Sequence, residues 1–254
     1  EMGVGLVGSE MCIRDRVYVI EVNPRSSRTV PFISKATGIP MIDLAVGCMQ
    51  GEKLINSKFG TGIFKERNIT AVKAPVFSMS KLTDVDTFLG PEMKSTGEVM
   101  GISKNYEEAI SKAFLSSGIN IPSNGSVLLS IANRDKDKAK YLIKLIHGKG
   151  YNLIATPGTA KLIKDLGFSA QVIEKSLDKN PNVIDKLRSS EVIAVVNTVS
   201  GDSKTLHDGF KIRRESSERK IPCFTSLDTA EAVFKDEVKE DKLTVNSLDE
   251  YLRF

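Results

Sequence analysis

The sequence predicts an α/β protein whose second half is a doubly wound parallel sheet. Three observations predict it. Beyond residue 122, short apolar runs alternate with amphipathic stretches along the rest of the chain. Those runs are continuously apolar, as strands covered on both faces are. The first stretches between them open on Asp135 or Pro157 and close on Gly150 or Gly167, the punctuation of helices. Regular strand–helix alternation implies right-handed crossovers and a sheet with helices on both sides.

The elements follow in order. VYVIEV (17–22) is a β-branched run stopped by Asn23-Pro24, hence a strand and a turn. Residues 25–50 read as helices broken at Gly38 and Pro40, and 52–72 as loop-rich. KAPVFSMSKL (73–82) reads as a strand interrupted at its entry by Pro75. GPEMKSTGEVMG (90–101) has Gly at both ends and within, and is expected to be an ordered loop. NYEEAISKAFLSSG (105–118) is an amphipathic helix ending in glycine. INIPSNG (119–125) has the composition of a linker and places a domain boundary between 122 and 123.

Five strands are then predicted, at 127–132, 152–156, 168–174, 191–198 and 221–226. Helices are predicted at 135–150, 157–167, 180–190, 202–220 and 226–240, with a small one after Asn246.

Composition bounds the function. The chain has 254 residues, enough for two domains, with 41% hydrophobic and 27% charged residues, as in globular proteins. Net charge is +4 and tryptophan is absent, so neither a nucleic-acid footprint nor a base-stacking surface is expected. No run approaches the roughly 18 apolar residues of a membrane span, and no membrane partner is expected. Three cysteines and two histidines cannot assemble a zinc site, and a disulfide framework is excluded, which reads as a cytoplasmic protein. Cys48 and Cys223 read as small core residues, and His147 and His207 as exposed helix positions. Residues 1–16 lack periodicity and resemble translated sequencing-adapter sequence, so a non-native leader is expected there.

In the first half the strongest signal is EVNPRSSR (21–28). Glu21 and Asn23 lie two apart on a strand and face the same way. A carboxylate and a carboxamide oxygen suit a hard cation. Arg25 and Arg28 follow and could grip phosphate oxygens. That is the kit for phosphoryl transfer, although such residues at a strand end also make ordinary surface ion pairs. Glu92, Lys94 and Glu98 read as part of an ordered docking segment.

In the second half, ATPGTA places Thr156, Gly158 and Thr159 where a strand yields to a helix N-terminus. Free N–H groups and the helix dipole favour an anion there. Lys136, Lys175 and Asn197 follow other strands and converge on the same edge, with Gly201 leaving backbone room. The pattern fits a phosphate pocket; threonines at helix starts also serve as simple caps.

EVNPRSSRTVPFISKATGIP followed by LGPEMKSTGEVMG resembles the carboxyl-terminal part of the large subunit of carbamoyl-phosphate synthase, and the resemblance spans 17–254. It implies that 17–122 is the end of the ATP-grasp domain that phosphorylates carbamate. It implies that 123–254 is a methylglyoxal-synthase-like allosteric domain. The parent would be an ATP-dependent ligase of arginine and pyrimidine synthesis, an oligomer working with a glutaminase small subunit. By the same resemblance Glu21 and Asn23 bind Mg²⁺ or Mn²⁺, and Arg25 and Arg28 bind ATP phosphates.

Lys136, Thr156, Gly158, Thr159, Lys175 and Asn197 match the family's contacts to an effector such as UMP, IMP or phosphoribosyl pyrophosphate. Val199 and Pro157 depart from the family pattern, where threonine and histidine are common. Lys175 suits a phosphorylated effector, as in bacterial members, where the urea-cycle branch has an aromatic. Ala74 and Phe224 stand where members that bind ornithine carry carboxylates, so a weak or absent ornithine response is expected. Without the rest of the ATP-grasp site the chain alone is expected to lack synthetase activity. The alternatives are a free-standing methylglyoxal-synthase-like lyase, for which Asp202 is a conceivable base, and a non-catalytic nucleotide-binding module.

Overall fold

A computed structural model describes residues 11–13, 16–18, 25–62, 65, 67–78, 93–174, 182–198, 203–235 and 242–253. The first strands, β1 (Met11–Ile13) and β2 (Arg16–Tyr18), pair antiparallel. The strand expected over 17–22 thus begins one residue earlier, and its part beyond Tyr18 lies outside the described residues. Helices α1 (Thr29–Thr37) and α2 (Met41–Met49) occupy the predicted helical stretch. They part where Gly38 takes a left-handed φ of 73° and its N–H caps the Ser34 carbonyl at 2.9 Å. Cys48 is exposed on α2, against the expectation of a core position.

Strand β3 (Thr70–Val76) starts three residues before its predicted entry and carries Pro75 within it. A two-stranded ladder leaves alternate N–H groups pointing away from the partner, so a proline is tolerated opposite Glu98. Its partner is β4 (Gly97–Ser103), in a segment expected to be loop up to residue 101. The glycines that argued for a loop are there for space. A Cβ on Gly101 would lie 2.0 Å from the Ala109 carbonyl oxygen and 2.5 Å from the Ala113 nitrogen. Those atoms belong to α3 (Tyr106–Ser116), which therefore packs backbone to backbone on the hairpin. Asn105 caps α3, accepting from the Glu108 N–H at 3.1 Å.

The second half holds the predicted five-stranded parallel sheet, in the order β7-β6-β5-β8-β9. These strands are β5 (Ser126–Ser130), β6 (Asn152–Ala155), β7 (Gln171–Val172), β8 (Val192–Asn197) and β9 (Cys223–Phe224). Helices α4 (Lys136–Gly148), α5 (Pro157–Asp165), α6 (Val183–Arg188), α7 (Ser203–Glu218) and α8 (Leu227–Lys235) connect and follow them. The expected strand 168–174 is reduced to two residues and one isolated bridge between Glu174 and Asn182.

Alternation along the strands builds two cores. Val127, Leu129, Ala194 and Val196 face α4, α5 and α8, where Leu142, Ile146, Ile163, Val233 and Phe234 are buried. Leu128 and Val195 face the other way, onto Val183, Leu187 and Ile212 of α6 and α7. Strands covered on both faces must read as unbroken apolar runs, which is how they were found. Ile121, in the supposed linker, is buried in the first core, and Phe114 of α3 packs against it.

The last helix, α9 (Leu248–Leu252), returns to the first half. A capping box between Ser247 and Glu250 starts it. Buried Tyr251 accepts through its hydroxyl from Lys112 Nζ at 2.7 Å, and Arg67 donates to the Leu252 carbonyl. Lys112 also pairs with Glu108 at 3.0 Å. Glu108 accepts from the Ser103 hydroxyl at 2.6 Å and from the Thr244 N–H at 2.6 Å. Burial pushes the Glu108 carboxyl up, but hydrogen bonds from Ser103, Thr244 and Lys112 outweigh it and bring it to about 2.

Two outcomes follow from these contacts. The folded Glu108 pKa lies below its ordinary 4.5, so its stabilisation is complete above 4.5 and lost as pH falls towards 2. Urea unfolding should weaken across that window, and Glu108→Gln should flatten the dependence there. Gly101→Ala should cost about 1–3 kcal/mol by overpacking, read in the same urea titration at neutral pH.

Candidate functional site

In a parallel sheet of this order the chain leaves β5 towards β6 on one side, while β8 lies on the other. The crevice at the carboxyl ends of β5 and β8 is the place where such sheets take ligands. Ser130 pairs in register with Asn197, and Leu129 with Ala155, so three strand ends finish level. Beyond them the Thr156 N–H bonds the Leu129 carbonyl and the Thr198 N–H the Ser130 carbonyl, each at 3.2 Å.

The residues that leave β5 are then tied sideways. The Ile131 N–H donates to Thr159 Oγ1 at 3.0 Å, and the Ala132 N–H donates to Thr198 Oγ1 at 2.8 Å. Thr159 is only 1% exposed, and its hydroxyl is used by the fold. Thr156 Oγ1 donates to it at 3.4 Å. Thr156 holds the N-cap position of α5 without a side-chain cap bond.

Pro157 has no N–H, and the Thr159 and Ala160 N–H groups bond the Thr156 carbonyl at 2.9 and 2.8 Å. The Gly158 N–H has no part in those bonds, and among the described residues it stands in the first turn of α5 open to an acceptor. Lys136 comes to this point from the first residue of α4. A Cβ built on Gly158 would stand 3.3 Å from Lys136 Nζ, so the glycine lets the ammonium close over the start of α5. Among the described residues Lys136 has no carboxylate partner; its neighbour Asp135 pairs with Arg134 at 3.7 Å. A cation, a helix N-terminus, an open amide and threonine hydroxyls thus meet at one strand edge. That combination can hold a dianionic phosphate.

Asn197 ends β8 level with Ser130 and is 1% exposed. Its side-chain oxygen accepts from Arg213 Nη1 at 3.1 Å, so what it can offer a ligand is its N–H₂.

Of the predicted site residues, Lys136 reaches Gly158 and Thr156 touches Thr159, while Asn197 ends β8 at the same edge of the sheet. Lys175, Val199, Gly201 and Asp202 lie outside the described residues, as do Glu21, Asn23 and Glu92. Arg25 and Arg28 are exposed before α1, with Arg28 donating to the Ser95 carbonyl at 3.4 Å. Glu98 sits within β4 and pairs with Lys73 at 3.5 Å. Among the described residues there is no cluster of three His, Cys, Asp or Glu suited to a metal ion. Ala74 and Phe224 are both buried.

Sequence reasoning missed Thr198 and Arg213. Thr198 carries no separate signal. Arg213 does: it is flanked at helical spacing by Gly209 and Ser216, small residues that make a buried stripe on an otherwise polar helix.

Residues 138–225 match the MGS-like domain, so the second half carries a domain of that class. Residues 10–57 match the carbamoyl-phosphate synthase L chain, ATP binding domain, over a short stretch of it. The two matches in this order fit a carboxyl-terminal fragment of a carbamoyl-phosphate synthase large subunit. Among solved structures the chain is similar to a methylglyoxal synthase from Elizabethkingia anophelis NUHP1. The identity is 16%, over 53% of this chain and 93% of that chain, with a TM-score of 0.35.

Thr159→Val keeps the shape and removes the acceptor of the Ile131 N–H. It should cost about 1–3 kcal/mol, the penalty of a buried donor left unpaired, measured by urea unfolding of the whole chain.

Proposed function

We propose that residues 123–254 form the effector domain of a carbamoyl-phosphate synthase large subunit and bind a phosphorylated nucleotide-type ligand at the β5/β8 edge. One observation carries the reading: the Lys136 ammonium closes over Gly158 at the start of α5, the helix that Thr156 opens and that carries Thr159, with Asn197 ending β8 at the same sheet edge. The matches to the MGS-like domain and to the ATP-binding domain support it. Candidate ligands are UMP, IMP and phosphoribosyl pyrophosphate, with Lys175 supplying a second cation.

The first half would contribute to an ATP-dependent ligase that makes carbamoyl phosphate for arginine and pyrimidine synthesis, working with a glutaminase subunit. Arg25 and Arg28 would meet the phosphates of ATP. Glu21 and Asn23 offer a carboxylate and a carboxamide oxygen, donors that suit Mg²⁺ or Mn²⁺, and would hold that cation. When bound, the cation neutralises phosphate charge. Because the match to the ATP-binding domain is confined to residues 10–57, the chain alone is proposed to be inactive as a synthetase.

Calorimetry of the whole chain with UMP, IMP and phosphoribosyl pyrophosphate tests the pocket. Lys136→Ala should weaken the bound ligand by about 1.5–3 kcal/mol, the worth of a hydrogen bond to a charged group. Affinity for all three that is absent, or unchanged by the substitution, rejects the assignment.

A further inference from the structure

We infer that Arg213 is a positioning residue for the phosphate pocket: it fixes the carboxamide of Asn197 so that its N–H₂ group, not its oxygen, serves the ligand. The inference rests on the proposed function for the ligand it names, but not for the orientation itself.

The observations are independent of one another. Arg213 is 1% exposed and stands among the largest fully buried side chains. Burying a guanidinium is costly unless it is hydrogen-bonded, and this one donates from Nη1 to Asn197 Oδ1 at 3.1 Å. Room is made for it one turn earlier on α7. A Cβ on Gly209 would lie 2.8 Å from Arg213 Nη1 and 3.4 Å from Asn197 Oδ1, so a side chain there would push the guanidinium out of its present place beside the carboxamide. Asn197 is itself 1% exposed and ends β8, the strand across the crevice from β6.

The chemistry then leaves one orientation. A carboxamide has an accepting end and a donating end. Guanidinium donates only, so it accepts no bond from the N–H₂ group and holds the oxygen. Were the amide reversed, two donors would face each other where neither residue is more than 1% exposed. Arg213 is thereby able to set which end of the Asn197 carboxamide stays available at the strand edge. Neutral ligands gain little from this; an acceptor-rich one, phosphate or ribose oxygen, gains a donor without having to orient it.

The test uses the whole chain with ¹⁵N-labelled asparagine and UMP as probe. Substituting Arg213→Met keeps an unbranched stem and removes the donor; Arg213→Leu, which also lacks a donor, is the second variant should the first not fold. The Asn197 side-chain N–H₂ resonances should move and exchange faster in either variant without ligand. UMP affinity should fall about tenfold in Arg213→Met, and by no more in Arg213→Met/Asn197→Ala than in Asn197→Ala alone, since one residue acts through the other. Unchanged Asn197 resonances, or losses that add in the double variant, overturn the inference. Wild-type chain that binds no UMP while the Asn197 resonances still respond overturns the proposed ligand and keeps the orientation.

Discussion

The segment that leaves the central strand is held by two threonine hydroxyls, and the geometry of the pocket depends on that. Ile131 and Ala132 have run out of ladder partners, and their N–H groups point into protein, not water. Thr159 of α5 takes one and Thr198, beyond β8, takes the other. An unpaired amide at this depth would be costly. The two bonds reach in opposite directions across the sheet, so they fix the crossover from β5 against both neighbours at once. Lys136 follows only a few residues later, and its ammonium reaches Gly158 because the backbone before it is not free to swing.

Two layers of residues therefore make the candidate site. Lys136, Thr156 and Gly158 present charge, a hydroxyl and an amide. Behind them Thr159, Thr198 and Arg213 hold the presenters in place. The second layer is buried and uses its polar atoms on the protein itself. Glycine recurs in both layers for lack of room: Gly158 beneath Lys136, and Gly209 beside Arg213 and Asn197. Side chains at those points would separate groups whose closeness is the site.

How much of this was legible in the sequence varied with the physics. The parallel sheet could be read because strands covered on both faces leave unbroken runs such as VLLS and VIAVVN. Lys136, the threonines and Asn197 could be placed at one edge because ligands sit at carboxyl ends of such strands. The β3–β4 hairpin could not be read well. Gly97 and Gly101 look like loop residues when only local propensity is weighed, and the reason for Gly101 is a helix eight residues further along pressing on its backbone. Pro75 misled in the same way. Arg213 was hidden by its own charge, since a basic residue in a polar helix is normally solvated; the small residues around it carried the only hint. Cys48 went wrong because α2 shows the described residues an exposed face where an apolar helix was taken to be buried.

The return of α9 to the first half has a consequence for the order of synthesis. Leu252 bonds Arg67 across 185 residues of chain, and Tyr251 bonds Lys112 across 139. Closing loops of that length is slow relative to forming the local β3–β4–α3 unit or the βαβ units of the sheet. On the ribosome, α3 and its hairpin emerge long before the tyrosine that completes them. The first half must wait, with Lys112 and Glu108 uncovered, until the whole parallel sheet has been made. The earliest-translated part of this region is in that sense the last to be finished.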